Sequence, residues 1–144
     1  MKSTKFIDQL RRNRVALISL AVAIIGLSYN TWRNEASEDN RTQRLVSIEI
    51  LLKLADLQQV VWHHHYDGDI EDKGNLRTGW AIVLTIQDIS SILDEPMPQS
   101  AEDLWRIWNA NHKELDDSTE AKDAVIDAIE KCRKDTLILL QALD

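Results

Sequence analysis

LVSIEILLKLADLQQVVWHHHY, residues 45–66, carries a strong helical signal. Ile50, Leu54, Leu57 and Val61 recur in steps of four, three and four, which places them on one face of an α-helix. Leu45, Ile48, Leu52, Ala55 and Trp62 line an adjoining face, so the apolar arc is wider than the roughly 100° stripe of a helix buried on one side. Such a helix is expected to pack against two neighbours or another subunit.

Upstream, RNEASEDNRTQR (residues 33–44) is polar but free of Gly and Pro, and reads as helix. Asp39 or Asn40 would be the cap if a fresh helix started there. Before it stands VALISLAVAIIGLSYNTW, residues 15–32, the one long run without a charge. Arg14 and Arg33 bracket its 18 residues, which at 1.5 Å per residue reach roughly 27 Å into a hydrocarbon core of similar thickness. The arginines can snorkel to phosphates, and Tyr29 and Trp32 suit an interface. A transmembrane helix is therefore expected. A cleavable signal peptide would use Gly26 and Ser28 as its small positions, but the A-x-A pattern is missing. A soluble core helix would need a water-facing side, and none is visible.

Five basic residues (Lys2, Lys5, Arg11, Arg12 and Arg14) against Asp8 give the first 14 residues a net charge of +4, leaving −11 on the rest of a chain whose total is −7. Basic flanks resist translocation. The expected organisation is a basic cytoplasmic tail at residues 1–14, a transmembrane helix at 15–32 and an acidic extracytoplasmic helical domain at 33–144, in a bacterial-type inner membrane. Phe6, Ile7 and Leu10 fit a short amphipathic turn on the cytoplasmic surface. The acidic domain makes nucleic acid a poor partner, since phosphate binding needs the opposite sign.

Downstream, DGDIEDKGN (67–75) reads as a loop. Residues 76–93 resume helical spacing, with Ile82, Ile86, Ile89 and Leu93 in one row and Trp80, Val83 and Leu84 beside it. Asp94-Glu95-Pro96-Met97-Pro98 ends that helix. Ser100, with Asp103 three residues on, is the expected cap of a helix carrying Leu104, Trp108, His112 and Leu115 on one face. Asp117 with Glu120 resembles a capping box for the last helix, whose seam is Ala121, Val125, Ala128, Cys132, Leu139 and Leu143. The expected fold is all-α: one N-terminal transmembrane helix followed by an antiparallel bundle of about four helices. Cys132, the single cysteine, excludes an internal disulfide and is expected to be a buried thiol.

The chemistry-bearing cluster is His63-His64-His65-Tyr66-Asp67-Gly68-Asp69. Imidazole and carboxylate are ligands for zinc or copper, but consecutive helical residues point about 100° apart, so three adjacent histidines cannot share one ion. His63 with Asp67, four apart, is the better pair, and a third ligand would come from Asp69, from Glu71 or from His112 across the bundle. The competing reading is structural: histidines at a helix C-terminus hydrogen-bond carbonyls and suit the dipole. Glycine-rich phosphate loops, G-x-S-x-G and H-E-x-x-H are all missing, so no enzyme is expected. Trp62, Trp80, Trp105 and Trp108 fall on apolar helix faces and read as core. The expected function is a membrane-anchored, non-enzymatic assembly protein that binds a protein partner or itself. The alternative is a tethered ligand- or metal-binding sensor using the His63–Asp72 region.

Overall fold

The computed structural model describes residues 13–143, which lie in four α-helices with short turns between them and contain no strand. The chain divides into two compact units, 1–39 and 40–144. The basic tail, with the amphipathic turn expected at Phe6, Ile7 and Leu10, lies almost wholly outside the described residues.

Helix α1 spans Arg14–Trp62, so Asp39 and Asn40 sit within helix and neither begins a new one. In the first unit every described side chain is exposed, from Val15 through Trp32 and on to Asp39. By length and composition this is a helix able to cross a membrane, and none of its apolar window is covered by the protein itself.

In the second unit, α1 is joined by α2 (Leu76–Ser90), α3 (Met97–Asn111) and α4 (Thr119–Ala142). Hydrogen bonds at the helix edges give the order of packing. Gln43 of α1 donates to Asp94 just beyond α2 (2.7 Å), and Gln87 of α2 donates to Glu102 of α3 (2.7 Å). Between α3 and α4, Ser100 donates to Asp135 (2.7 Å) and Lys131 pairs with Asp103 (3.0 Å). Arg44 donates to the Leu143 carbonyl (3.1 Å) and Arg133 to Gln58 (2.7 Å), so α4 runs antiparallel to α1. The result is an antiparallel four-helix bundle with short connections.

The core follows the expected faces, with adjustments. Ile50, Leu54, Leu57 and Val61 are all fully buried. On α3, Leu104, Trp108 and Leu115 beyond its end are buried, joined by Met97 and Ala101, while His112 is only half-buried. On α2 the buried line is Gly79, Val83, Ile86 and Ser90, turned somewhat from the expected row, of which Ile86 and Leu93 are buried and Ile82 and Ile89 half-buried at the edge; Leu84 is exposed. Trp108 packs where the helix has turned. This large, fully buried ring lies where a Cβ on Gly79 would come within 2.4 Å of it, and α2 presents its glycine to α3 at the indole. On α4 the seam is Ala121, Val125, Ile129, Cys132, Thr136 and Leu139, with Ala128 half-buried.

Two expected caps are corrected. Helix α3 begins at Met97, so Ser100 lies inside its first turn and donates to Asp135 instead of capping. First-turn amides have no intrahelical acceptor, which is why Pro98 is tolerated there. Helix α4 is capped by Ser118, whose Oγ accepts the Ala121 N–H (3.1 Å), one residue later than the Asp117 box. Helix α2 starts on Asn75, whose side chain accepts the Arg77 N–H (2.9 Å).

Candidate functional site

The histidine run ends α1 in a single wide turn, His63–Asp67, closed by Gly68 in the left-handed conformation (φ 63°) with its N–H on the His63 carbonyl. Only glycine adopts that conformation without strain. Successive side chains fan out from the turn to different parts of the bundle. His63 Nδ1 meets Asp67 Oδ2 at 2.6 Å on the surface. The buried His64 donates Nδ1–H to the Gly74 carbonyl (2.8 Å), tying down the following loop. His65 donates Nδ1–H to the Leu115 carbonyl (2.6 Å), reaching the α3–α4 connection. Tyr66 accepts from Lys122 near the start of α4 (3.2 Å), and the same ammonium lies 5.5 Å from its ring centre. A carbonyl oxygen can only accept, so both inner histidines are held as the Nδ1–H tautomer when neutral.

Of the candidate metal ligands, the structure puts His63 and Asp67 in contact, while Asp69, near enough to His63 to feel its charge, bonds the loop backbone. Asp69 accepts the backbone N–H groups of Asp72 (3.1 Å) and Lys73 (3.2 Å), and these bonds hold its carboxyl below the usual carboxylate range. Among the described residues, no three His, Cys, Asp or Glu side chains gather as a metal centre requires. Histidines do satisfy carbonyls here, as the structural reading expects, but the carbonyls belong to other segments rather than to the last turn of their own helix. Gly74 is part of the same clasp: a Cβ there would stand 2.1 Å from the Asp69 carbonyl oxygen and 2.5 Å from the His64 nitrogen.

Two clefts are notable, the first of them beside this framework. One, of about 730 Å³, lies beside His64 and is bordered by Glu71, Asn75, Arg77, Lys113 and Asp116, a mixture of both charges. The other, of about 360 Å³, runs between α3 and α4 over Leu104, Ile107, Ala124 and Ala128, with the Asp103–Lys131 pair at its rim. That pairing, first through the hydrogen bond from Lys131, depresses the Asp103 pKa. Burial pushes the Cys132 thiol up from 9.0 to about 11, the state of a packing residue rather than a nucleophile.

The most conspicuous surface is the outer face of α1 in the bundle. Leu45 (59% exposed), Ile48 (47%), Leu52 (57%) and Trp62 (47%) stand in solvent, with Ala55 and Gln59 exposed between them. This is the adjoining apolar face expected from the sequence, but Trp62, expected in the core, is one of its exposed residues. The bundle sets α1 against two neighbours, α2 and α4, and still leaves this face open. Compared with protein-family models, curated proteins and solved structures, the chain has no match.

Proposed function

We propose that this chain is a single-pass membrane protein whose helical bundle serves protein assembly rather than catalysis. In this reading the N-terminal tail is cytoplasmic, Val15–Trp32 crosses a bacterial-type inner membrane, and the acidic bundle works on the outer side. The observation that carries the reading is apolar surface left uncovered twice. The 18 uncharged residues of Val15–Trp32 are exposed throughout, and so is the outer face of α1 from Leu45 to Trp62. Contiguous apolar surface of this extent marks contact with lipid or protein.

Several details support the anchor. Thr31 donates its hydroxyl to the Leu27 carbonyl (3.0 Å), so this polar group carries its own partner into a low-dielectric setting. Tyr29 and Trp32, with rings 6.1 Å apart, form an amphipathic pair at the outer end of the span. A binding role is favoured over a chemical one because His64 and His65 are engaged in joining segments and the cysteine is buried. Alkaline carbonate washing of membranes containing the full-length protein, followed by crosslinking and mass spectrometry, tests this proposal. Retention in the membrane with a defined crosslinked species is expected. Release by carbonate, or a monomer that crosslinks to nothing, would overturn it.

A further inference from the structure

We propose that the uncovered face of α1 is the interface with a second copy of this chain, packed in parallel. The inference rests on the membrane-anchored reading and names the partner. Leu45, Ile48, Leu52, Ala55, Gln59 and Trp62 are separated by three, four, three, four and three residues, the a/d spacing of a heptad seam. The bundle buries a different line, Ile50, Leu54, Leu57 and Val61, so the helix presents two packing faces and the fold uses one. A heptad seam is completed by another helix of the same period. A second copy offers that period in register.

Charge beside the seam selects the orientation. Glu49 and Asp56 flank one side, while Arg44, Leu51 and Gln58 flank the other. In an antiparallel pair each flank faces its own copy, which sets Glu49 against the second copy's Asp56. Lys53, 3.7 Å from both carboxylates, relieves that repulsion only in part. In a parallel pair the flanks alternate: Arg44 faces Glu49 of the second copy, and the neutral Leu51 and Gln58 face Asp56 and His63. Two chains anchored by their N-termini in one bilayer also leave it in the same direction, which enforces the parallel choice.

The size of the seam argues for copies confined to a membrane. It runs about 26 Å along the helix and is one helix, roughly 10 Å, wide. That is well short of the ~800 Å² per partner of a stable soluble interface. Weak seams of this kind become effective when both partners share a surface, because tethering raises their effective concentration. Independently, the first unit carries Ala16, Ser19, Ala23, Gly26 and Asn30 at the same three-and-four spacing, and nothing lies within 4 Å of a Cβ placed on Gly26. Small residues so spaced let membrane helices approach closely.

The test uses full-length protein carrying Cys132→Ala, purified into phosphatidylethanolamine–phosphatidylglycerol vesicles, with single cysteines placed along 44–62 and oxidised. Disulfide dimers should form at Leu45→Cys, Ile48→Cys, Leu52→Cys and Ala55→Cys but not at Glu49→Cys, Lys53→Cys or Asp56→Cys, and their yield should fall as lipid is added. In the Leu45→Cys background, Ile48→Glu with Leu52→Glu should cut dimer yield by roughly tenfold or more, while an unchanged thermal melt shows the bundle intact. Crosslinks without this periodicity, or dimers indifferent to the glutamates, would overturn the proposal. Mixed dimers of Leu45→Cys with Trp62→Cys would overturn the parallel arrangement. A carbonate-resistant protein that stays monomeric in purified vesicles yet crosslinks to another protein in native membranes would overturn self-association and leave the anchored-assembly reading standing. Extraction by carbonate would instead remove the anchor on which both depend.

Discussion

Gly79→Ala should destabilise the bundle although alanine is the better helix former. In an open helix the exchange stabilises by about 1 kcal/mol. At Gly79 the new Cβ would come within 2.4 Å of two ring carbons of Trp108 and 3.4 Å of Val60. The indole has little room to give: it is fully buried, stacked on His112 at 6.0 Å between ring centres and met edge-on by Trp80 at 6.4 Å. Overpacking of a filled core costs about 1–3 kcal/mol, and contact this close belongs at the upper end. The net loss is about 2 kcal/mol, which for a domain of this size lowers Tm by roughly 8 °C. Circular dichroism melts of the full-length protein in detergent measure it, with Gly26→Ala as the control expected to leave the bundle's melt unchanged. Trp108→Phe removes the offending ring carbons and an indole N–H that has no hydrogen-bond partner. In that background Gly79→Ala should cost at least ~1 kcal/mol less, a coupling read by a double-mutant cycle. A Gly79→Ala melt at or above wild type would refute the packing of α2 on Trp108.

Three further outcomes follow from named contacts. Gly74→Ala should be more damaging than Gly79→Ala, because its Cβ meets backbone at 2.1 and 2.5 Å, and loss of the cooperative melt or of soluble expression is the readout. Ser118→Ala should cost about 1 kcal/mol through its lost bond to the Ala121 N–H, whereas Asp117→Ala should be close to neutral, both measured by denaturant titration. The Cys132 thiol titrates at 9.0 when unfolded and about 11 when folded, so the folded state holds its proton longer. Its contribution is full below pH 9 and is lost as pH rises to about 11, by roughly 2–3 kcal/mol. The difference in stability between wild type and Cys132→Ala across that window isolates the effect.

Helix α1 was legible because its signal is local. Four residues at four-three-four spacing, Ile50 to Val61, name a buried face without knowledge of what covers it. The neighbouring face at Leu45, Ile48 and Leu52 was equally legible as apolar, but periodicity carries no information on whether the second partner belongs to the same chain. Helix starts were legible only to within a few residues. Ser100 and Asp117 are the right residue types in nearly the right places, yet Pro98 can occupy a first turn and Ser118 competes one position away. The turn of α2 from its expected row was hidden because Gly79 contributes no hydrophobicity; its role is to leave room for a ring 29 residues further along the chain.

At the histidine turn, the His63–Asp67 pair was readable from i, i+4 spacing. The other contacts were not. His64 to Gly74, His65 to Leu115 and Tyr66 to Lys122 join residues from 10 to 56 positions apart, and only the folded bundle brings them together. Asp69 has a structural role that spacing does not show. A carboxylate beside histidines suggests a ligand, but in a tight loop the nearest unsatisfied donors are backbone amides, and Asp69 accepts two of them.

The side of the membrane on which the bundle lies can be read from a C-terminal tag. With an epitope tag after Asp144 in full-length protein made in a bacterial host, external protease added to intact spheroplasts should remove the tag while a cytoplasmic marker stays protected. A tag protected until the membrane is permeabilised, or recovered in the soluble fraction, would contradict an anchored bundle facing outward.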